Sequence, residues 1–273
     1  MKKILFMLLL SVISLKAQTI RLVYKTTSTE AAERIVENYH LDIDTKAQNA
    51  IYYNRVYFVN DSIFKKSGEF GYTGFKMTDF VKTNLLESKY SEEYKILNMD
   101  VFKIRMENPQ NWEITKDTTI WENKVLQKAT TNYGGRHWEA WFDASLPIHT
   151  GPYYFNGLPG LIVKLNDSEN NFSFELIKLQ NLPEPQTIDF IGTLQNNAVP
   201  ITLDKWKQLM LQSYKDPLGY IAKGLLDSDK PIRLEDGTLL TKQNLKSSEE
   251  IVRNRLRKQN PIHLDFKVSY PKQ

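Results

Sequence analysis

Hydrophobic and polar residues alternate along most of the first two thirds of the chain, from about Gln18 to Gln180. This is the period of a β-strand with one buried face, and Ile20, Leu22 and Tyr24 illustrate it. The runs are short, rich in β-branched and aromatic residues, and bounded by Asn, Asp or Gly. The main runs are 20–24, 51–59, 101–106, 112–116, 125–133, 136–142, 161–165 and 172–179. The chain is therefore predicted to form mainly β-sheet.

The connections between these runs indicate how the strands pair. Residues 131–136 join two runs with Gly134 and Gly135 at the tip, and residues 166–171 join two others. Parallel neighbours would need crossovers of about a dozen residues or more, so the sheet is predicted to be antiparallel. We therefore predict an α+β fold: a curved, half-barrel-like antiparallel β-sheet of about six to nine strands, with helices packed on one side and a helical C-terminal third.

Helical spacing of apolar residues is found in two places between the strands and again near the C-terminus. These segments are 31–38, 77–86, 202–214, 220–226 and a basic stretch from about Ser248. Strand alternation fades after a proline-containing segment at 182–185. The predicted organisation is a signal peptide at 1–17, a β-rich body at 18–181, and a mainly helical region at 182–273 packed on the same domain.

The N-terminus has the pattern of a cleavable secretory signal peptide. Lys2 and Lys3 precede an apolar run at 4–15, and Ala17 precedes the polar Gln18. The apolar run is shorter than the roughly 20 residues that span a bilayer, and no second run approaches that length. Cleavage after Ala17 predicts an exported protein that is periplasmic, associated with the outer membrane, or extracellular.

Charge and cysteine content exclude several classes of function. The chain has no cysteine, so disulfides and a lipid-modified cysteine are excluded. It has 36 Lys and Arg against 32 Asp and Glu, and the signal peptide removes three lysines and no acid. The near-neutral remainder argues against nucleic acid as a partner. No phosphate-binding loop, dinucleotide fingerprint or HExxH motif is present, so no cofactor and no metal are predicted.

The block at 151–162 combines two Gly/Pro turns with an aromatic run and leads into a predicted strand. Pro159 and Gly160 suit the central positions of a type II turn, in which Gly160 would adopt positive φ. We assign architectural roles to Gly151, Pro152, Gly157, Leu158, Pro159, Gly160, Leu161 and Ile162.

Residues 112–167 resemble the GLPGLI family of secreted proteins of Gram-negative envelopes. The string that names the family stands unaltered at 157–162, and further landmarks match at 135–136, 140–142 and 151–152. Leu126 stands where many members carry a cysteine. The resemblance implies a secreted, strand-rich protein similar to the half-barrel folds of envelope lipoprotein carriers, and it implies no catalytic residues.

Aromatic residues make up 12% of the chain and concentrate in the runs around 138–142 and 153–155. They favour a non-enzymatic binding module for a hydrophobic or peptide-like ligand, or for an envelope protein partner. The candidate contacts are Arg136, Trp138, Trp141, Tyr153, Tyr154 and Phe155; Arg136 has a structural turn role as its alternative. Strand alternation places Trp138 and Phe142 on one face and Trp141 on the other. Whether one face is open, or both are covered, stays undecided at this point.

Three alternatives remain. A secreted hydrolase acting on glycan or peptide would use His137, Glu139 and Asp143. A zinc site would need His137, Glu139 and His149 to converge. A structural or secretion-linked accessory protein would act only in a complex and would expose aromatic residues.

Overall fold

A computed structural model describes residues 18–30, 33–67, 79–87, 90–98, 100–107, 110–222, 232, 234 and 238–271. Within them the chain forms a twelve-stranded sheet, curved and unclosed, together with five α-helices. All neighbouring strands are antiparallel except β12, which runs parallel to β6. The predicted α+β class with a curved antiparallel sheet is confirmed. The predicted signal peptide, 1–17, lies outside the described residues.

The strands are β1 Thr19–Glu30, β2 Glu33–Asp44, β3 Asn49–Asn54, β4 Phe80–Asn84, β5 Tyr90–Leu97, β6 Asp100–Glu107, β7 Glu113–Trp121, β8 Lys124–Tyr133, β9 Arg136–Asp143, β10 Leu161–Asp167, β11 Phe172–Leu182 and β12 Val199–Pro200. The helices are α1 Arg55–Ser67, α2 Asp189–Asn197, α3 Leu203–Lys215, α4 Gly219–Ala222 and α5 Leu245–Arg257, followed by a 3-10 turn at Leu264–Phe266. Across the sheet the order is β12-β6-β5-β4-β3-β2-β1-β11-β10-β9-β8-β7.

Both predicted hairpins are present. Gly134 and Gly135 have φ of +60° and +76°, the conformation that a two-residue type I′ turn requires between β8 and β9. Residues 168–171 connect β10 to β11, and the backbone N–H of Phe172 donates to Asp167 Oδ1 at 2.7 Å. Local turn chemistry therefore sets both connections.

Several predicted element types are wrong. Where helices were expected at 31–38 and 77–86, the structure has strand at 33–38 in β2 and at 80–84 in β4, with a bend and turn at 85–86. Residues 31–32 and 77–78 lie outside the described residues. Residues 33–38 are paired with β1, and residues 80–84 lie between β3 and β5. This ladder pairing outweighs the weak helical pattern of a short segment. The strand expected at 51–59 ends at Asn54, whose Oδ1 accepts the N–H of Val56 as α1 begins. With these changes the sheet exceeds the six to nine strands expected.

The largest core cluster lies on one side of the sheet, which we call the core face. Leu22 and Tyr24 of β1, Leu41 of β2, Trp138 of β9 and Phe174 of β11 are all buried there. The Tyr24 hydroxyl donates to the carbonyl of Ile162 at 2.7 Å and so ties β1 to β10. Strand residues of the other parity lie on what we call the opposite face.

Helices α1 and α2 cover part of the opposite face. Tyr57 of α1 and Ile191 of α2 pack with Tyr53, Phe80 and Tyr94 from β3, β4 and β5. Asp61 Oδ1 accepts the N–H of Asp189 at 2.9 Å, so α1 caps the start of α2. Helix α3 packs separately, with Trp206 and Met210 against residues of β6. In the described part of the chain, none of the helices has the length and apolar character needed to cross a bilayer.

Candidate functional site

The aromatic block folds back on itself between β9 and β10. The N–H of Gly151 donates to the carbonyl of Phe155 at 2.7 Å, and the N–H of Phe155 donates to the carbonyl of Pro152 at 3.1 Å. Tyr153 has φ of +57°, a left-handed conformation that is uncommon for a residue with a side chain. The block therefore forms a tight turn that directs its three rings towards the core face.

Gly160 has a different role from the predicted one. Among the described glycines, positive φ is found at Gly134, Gly135 and Gly157, so the expected positive φ of a type II turn at Gly160 is wrong. Gly160 is instead needed for close approach: a Cβ there would lie 2.2 Å from the carbonyl oxygen of Asp143. The residue that follows, Leu161, is fully buried and pairs with Asp143 in the sheet.

Three of the predicted ligand contacts lie inside the protein. Trp138, Tyr154 and Phe155 are each at most 1% exposed. The rings of Trp138 and Phe155 are 4.6 Å apart between centroids, and Trp138 Nε1 donates to the carbonyl of Tyr133 at 3.0 Å. In this conformation they fill the space over the core face and do not form an accessible surface. Any contact they make with a ligand in another conformation stays a prediction.

Tyr153 reaches a buried charged pair that the sequence analysis did not identify. Its hydroxyl donates to Oε1 of Glu93, a side chain with no exposed surface. Lys95 Nζ lies 2.6 Å from the same Oε1 and 2.8 Å from Asp79 Oδ2. Burial alone would lower the pKa of Lys95, but Asp79 and Glu93 outweigh it and raise that pKa. The only sequence signal for this pair is a charged Glu-Tyr-Lys step within a strand.

Two polar atoms near this pair are buried without a hydrogen-bond partner in the described part of the chain: Glu93 Oε2 and the Tyr154 hydroxyl. Burial raises the pKa of both Tyr153 and Tyr154 well above the ordinary value, so both phenols stay protonated. A buried polar atom left unpaired costs about 1–3 kcal/mol. The centre of the block is thus a locally strained and incompletely satisfied part of the core.

Arg136 is buried and fully occupied by contacts within the chain. Its Nη1 lies 3.1 Å from Asp167 Oδ2, and its guanidinium carbon lies 4.9 Å from the ring centroid of Phe172. Its Nε donates to the carbonyl of Ile262 and its Nη2 to that of Pro261, both at 3.0 Å. These contacts fasten the C-terminal segment to β9, and they favour the structural alternative over that of a ligand-orienting cation.

His137, Glu139 and Trp141 share the opposite face of β9, as alternation predicts. Glu139 Oε2 pairs with Lys128 Nζ at 2.6 Å, and Trp141 Nε1 donates to Glu139 Oε1 at 3.1 Å. His137 Nδ1 lies 2.9 Å from Asn132 Oδ1. Of the six predicted ligand contacts, Trp141 is the one aromatic residue on this more accessible side, where it is half-buried.

The residues of the hydrolase alternative are not brought together. Asp143 is 2% exposed, and its Oδ1 accepts from the N–H and the hydroxyl of Ser145. Burial would raise the pKa of Asp143, but these hydrogen bonds and Lys124 outweigh it and hold the pKa below the ordinary value. Glu139 lies four residues away on the same strand, about 13 Å between Cα atoms, and its carboxylate is paired with Lys128.

The zinc alternative also lacks an assembled site. His149 Nδ1 lies 2.9 Å from the carbonyl oxygen of Leu158, inside the block rather than beside Glu139. Among residues that the structure describes, no group of three His, Cys, Asp or Glu side chains could hold a metal ion.

A second polar network on the opposite face was also missed from sequence. Arg21 forms a bidentate pair with Asp42, with both N–O distances at 2.7 Å. The Tyr53 hydroxyl donates to Asp42 Oδ2 at 2.7 Å and lies 3.4 Å from His40 Nδ1. Burial, assisted by the Arg21 cation, lowers the pKa of His40 to about 4. The imidazole is therefore neutral at pH 7, and the network carries one satisfied ion pair.

Comparison with known proteins shows a similarity to a family whose activity is unknown. Residues 84–164 match a family model described as "Protein of unknown function (Porph_ging)". The matched range includes β9 and the aromatic block, but it is less than half of the chain. No curated protein matches the chain.

Solved structures give distant matches. PNGF-II is 15% identical with a TM-score of 0.45; the match covers 68% of this chain and 31% of PNGF-II, so it spans about a third of that protein. A putative outer membrane lipoprotein-sorting protein domain from Vibrio parahaemolyticus is 9% identical, with 64% and 90% of the two chains covered and a TM-score of 0.32. A LolA superfamily protein from Nitrosomonas europaea is 6% identical, with 64% and 90% covered and a TM-score of 0.29. Matches this distant assign no ligand or activity to this chain.

Proposed function

We propose that this chain is an exported envelope protein of the GLPGLI type that binds a peptide-like segment of a ligand or protein partner without catalysing a reaction. The GLPGLI string at 157–162 lies inside the range that matches the uncharacterised family, which supports the family assignment. Export through residues 1–17 is part of the proposal. N-terminal sequencing of the protein recovered from the envelope should begin at Gln18, and an intact Met1 would contradict export by cleavage.

The observation that carries the binding proposal is the exposed edge strand β7. It is nine residues long, stands last in the sheet order, and pairs only with β8 among the described strands. Seven of its nine side chains are exposed, with Thr115 and Trp121 half-buried. A terminal strand presents unpaired backbone N–H and C=O groups, to which an extended peptide can add as a further strand.

Side chains on this edge supply apolar contacts. Ile114 is 48% exposed and Ile120 is 76% exposed, and Val125, the cross-strand partner of Ile120 on β8, is 65% exposed. Edge strands usually carry charges that discourage pairing. Here Lys116 and Asp117 lie at an irregularity between Ile114 and Thr118, which leaves the last four residues of β7 regularly paired. An incoming strand is expected to add along this last stretch, 118–121.

Accessible side chains rather than buried rings define the proposed contacts. Trp141 is retained from the sequence analysis, because it lies on the opposite face two strands from the edge. Lys128 Nζ lies 5.8 Å from the Trp141 ring centroid, so this ring is already flanked by a cation. Trp138, Tyr154 and Phe155 are proposed to hold the sheet in shape beneath the edge.

A peptide-display selection against the protein lacking residues 1–17 tests this proposal. Selected peptides should share an alternating apolar pattern and should protect backbone amides of β7 from hydrogen exchange. Ile120→Lys should weaken the binding at least about tenfold, because a desolvated charge replaces an apolar contact.

The matched control is Val199→Lys on β12, an exposed β-branched residue at the other end of the sheet. It should leave peptide affinity unchanged. Protection elsewhere than β7, or equal effects of the two substitutions, would contradict edge-strand binding. A selection that yields no peptide would also count against it.

A further inference from the structure

The segment 260–266, which follows α5, lies across the hairpin between β8 and β9, and we call it the strap. The N–H of Leu264 donates to the carbonyl of Gly134 at 2.8 Å. A Cβ on Gly134 would lie 3.0 Å from the ring of His263, and a Cβ on Gly135 would lie 3.0 Å from Leu264 Cδ1. The strap therefore rests directly on the backbone of the hairpin tip, and none of its residues belongs to a strand.

The strap is held on both flanks by other contacts. At its start, Arg136 of β9 donates to the carbonyls of Pro261 and Ile262, each at 3.0 Å. Beyond its end, the ring of Tyr270 stacks on that of Tyr214 of α3, with 4.7 Å between centroids. The middle of the strap can therefore leave the hairpin while both flanks stay attached. Such local opening requires less free energy than unfolding of the sheet.

His263 stands at the middle of the strap and is 8% exposed. Its ring meets those of Tyr133, Tyr154 and Phe266 edge to face, with centroids 5.3, 6.4 and 6.1 Å away. Burial raises the pKa of Tyr133 and of Tyr154, so both phenols are uncharged near neutral pH. His263 Nδ1 accepts the N–H of Asp265 at 3.3 Å, at the start of the 3-10 turn. A ring nitrogen that accepts a hydrogen bond carries no proton, so the bound strap requires a neutral imidazole.

The charged groups that face His263 come from the strap itself and from β5. The side chain of Asp265 is 69% exposed, and its Oδ2 lies 3.6 Å from His263 Nδ1. Glu93 and Lys95 approach from β5, and Lys95 Nζ lies 4.5 Å from the centroid of the Phe266 ring. Burial lowers the pKa of His263, assisted by Lys95, and outweighs the attraction of the Asp265 and Glu93 carboxylates. The folded strap thus disfavours a second positive charge beside Lys95.

We propose that the strap is released from the β8–β9 hairpin when His263 takes up a proton. The proton occupies the lone pair that accepts the N–H of Asp265, and it places a charge among three rings. In the released strap the imidazolium is hydrated, and its pKa returns to the ordinary value of about 6.5. Because the bound form has the lower pKa, the strap stays in place above about pH 6.5 and is increasingly released below it. Release uncovers the rings of Tyr133 and Tyr154 that His263 contacts.

Hydrogen exchange of the protein lacking residues 1–17, followed by NMR and corrected for the intrinsic rate at each pH, tests this proposal. Between about pH 7.5 and 5.5 the amide of Leu264 should lose protection about fivefold or more, and at most about tenfold per pH unit because one proton is involved. In the same titration the ring protons of His263 should report a pKa below 6.5. His263→Phe keeps an aromatic ring that takes up no proton, so protection of its strap should not change over this range.

The matched control is His137→Phe on the exposed side of β9, which should leave the pH dependence at Leu264 unchanged. The amide of Trp138, in a strand paired on both sides, should stay protected throughout. Thermal unfolding of both variants at about pH 7.5 checks that they are folded, and the wild-type titration stands without them.

Three results would overturn the proposal. The first is an ordinary pKa of about 6.5 for His263 in the wild type. The second is an equal pH dependence of Leu264 protection in the wild type and in His263→Phe. The third is a joint loss of protection at Leu264 and Trp138, because this would mean that the whole domain unfolds rather than the strap alone.

Discussion

Replacing Gly160 by alanine should destabilise the protein strongly, although the sequence pattern at Gly160 predicts an ordinary type II turn. A Cβ at this position would lie 2.2 Å from the carbonyl oxygen of Asp143 and 2.8 Å from the Cα of Ala144. Both neighbours are backbone, which cannot rotate away as a side chain does. The contact must open by about 1 Å to reach ordinary van der Waals separation.

The structure determines what that movement would disrupt. The carbonyl of Asp143 accepts the N–H of Leu146 at 3.3 Å, and Asp143 pairs with Leu161 at the start of β10. Leu161 has no exposed surface, so displacing it disturbs the core face directly. Overpacking of a close contact costs about 1–3 kcal/mol and a lost backbone hydrogen bond about 1 kcal/mol. We expect Gly160→Ala to lower the free energy of unfolding by about 3 kcal/mol.

Urea unfolding followed by tryptophan fluorescence measures this change, with Gly192→Ala as the matched control. Gly192 has open space around it, so alanine there should stabilise the protein by up to about 1 kcal/mol. The two glycine-to-alanine changes should therefore shift the midpoint in opposite directions. A Gly160→Ala protein within about 0.5 kcal/mol of the wild type would refute the close-approach argument.

Three further predictions follow from buried groups. His40 is neutral when folded and has a pKa of about 4 against an ordinary 6.5, so the unfolded chain binds the proton first. The free energy of unfolding should thus fall by up to about 3 kcal/mol as the pH drops from 6.5 to 4. His40→Gln should remove this dependence on pH. If urea titrations show the same change in unfolding free energy with pH for both proteins, the argument is contradicted. Arg136→Met should lower the free energy of unfolding by about 3–5 kcal/mol, because Asp167 is left buried and uncompensated. Adding Asp167→Asn should recover part of this loss, as measured by urea unfolding. No recovery in the double variant would argue against the ion pair as the cause. Phe155→Ala should cost about 3–5 kcal/mol through the cavity it leaves, as measured by urea unfolding, and a loss below about 1 kcal/mol would show that the block is not part of the core.

Prediction from sequence succeeded where a local pattern specifies a local structure. The hairpin at Gly134 and Gly135 follows from the freedom of glycine at positive φ, and the helix over Leu203–Lys215 follows from its apolar spacing and the Thr202 cap. Alternation along β9 correctly separated Trp138 from Trp141. It could not show which of the two faces is open, because that depends on what the rest of the chain places over the sheet.

Residues of the candidate sites were mostly beyond the reach of sequence reasoning. Glu93 and Tyr153 are 60 positions apart, and Arg21 and Asp42 are 21 apart. No spacing rule predicts that either pair will meet. Arg136 Nε and the carbonyl oxygen of Ile262 lie 3.0 Å apart, although the two residues are 126 positions apart. Their chemistry is visible in the sequence, but their proximity is not.

The sequence by itself determined the two-residue alternation, the hairpin turns and hence an antiparallel sheet, since these depend on steric preferences within a few residues. Tertiary structure decided that 33–38 and 80–84 are strands, because pairing with β1 in the first case, and with β3 and β5 in the second, outweighs a short helical pattern. It also decided that the aromatic block lies in the core and that Gly160 is needed for close approach rather than for its φ. Burial and contact depend on segments far apart along the chain, and a local pattern carries no information about them.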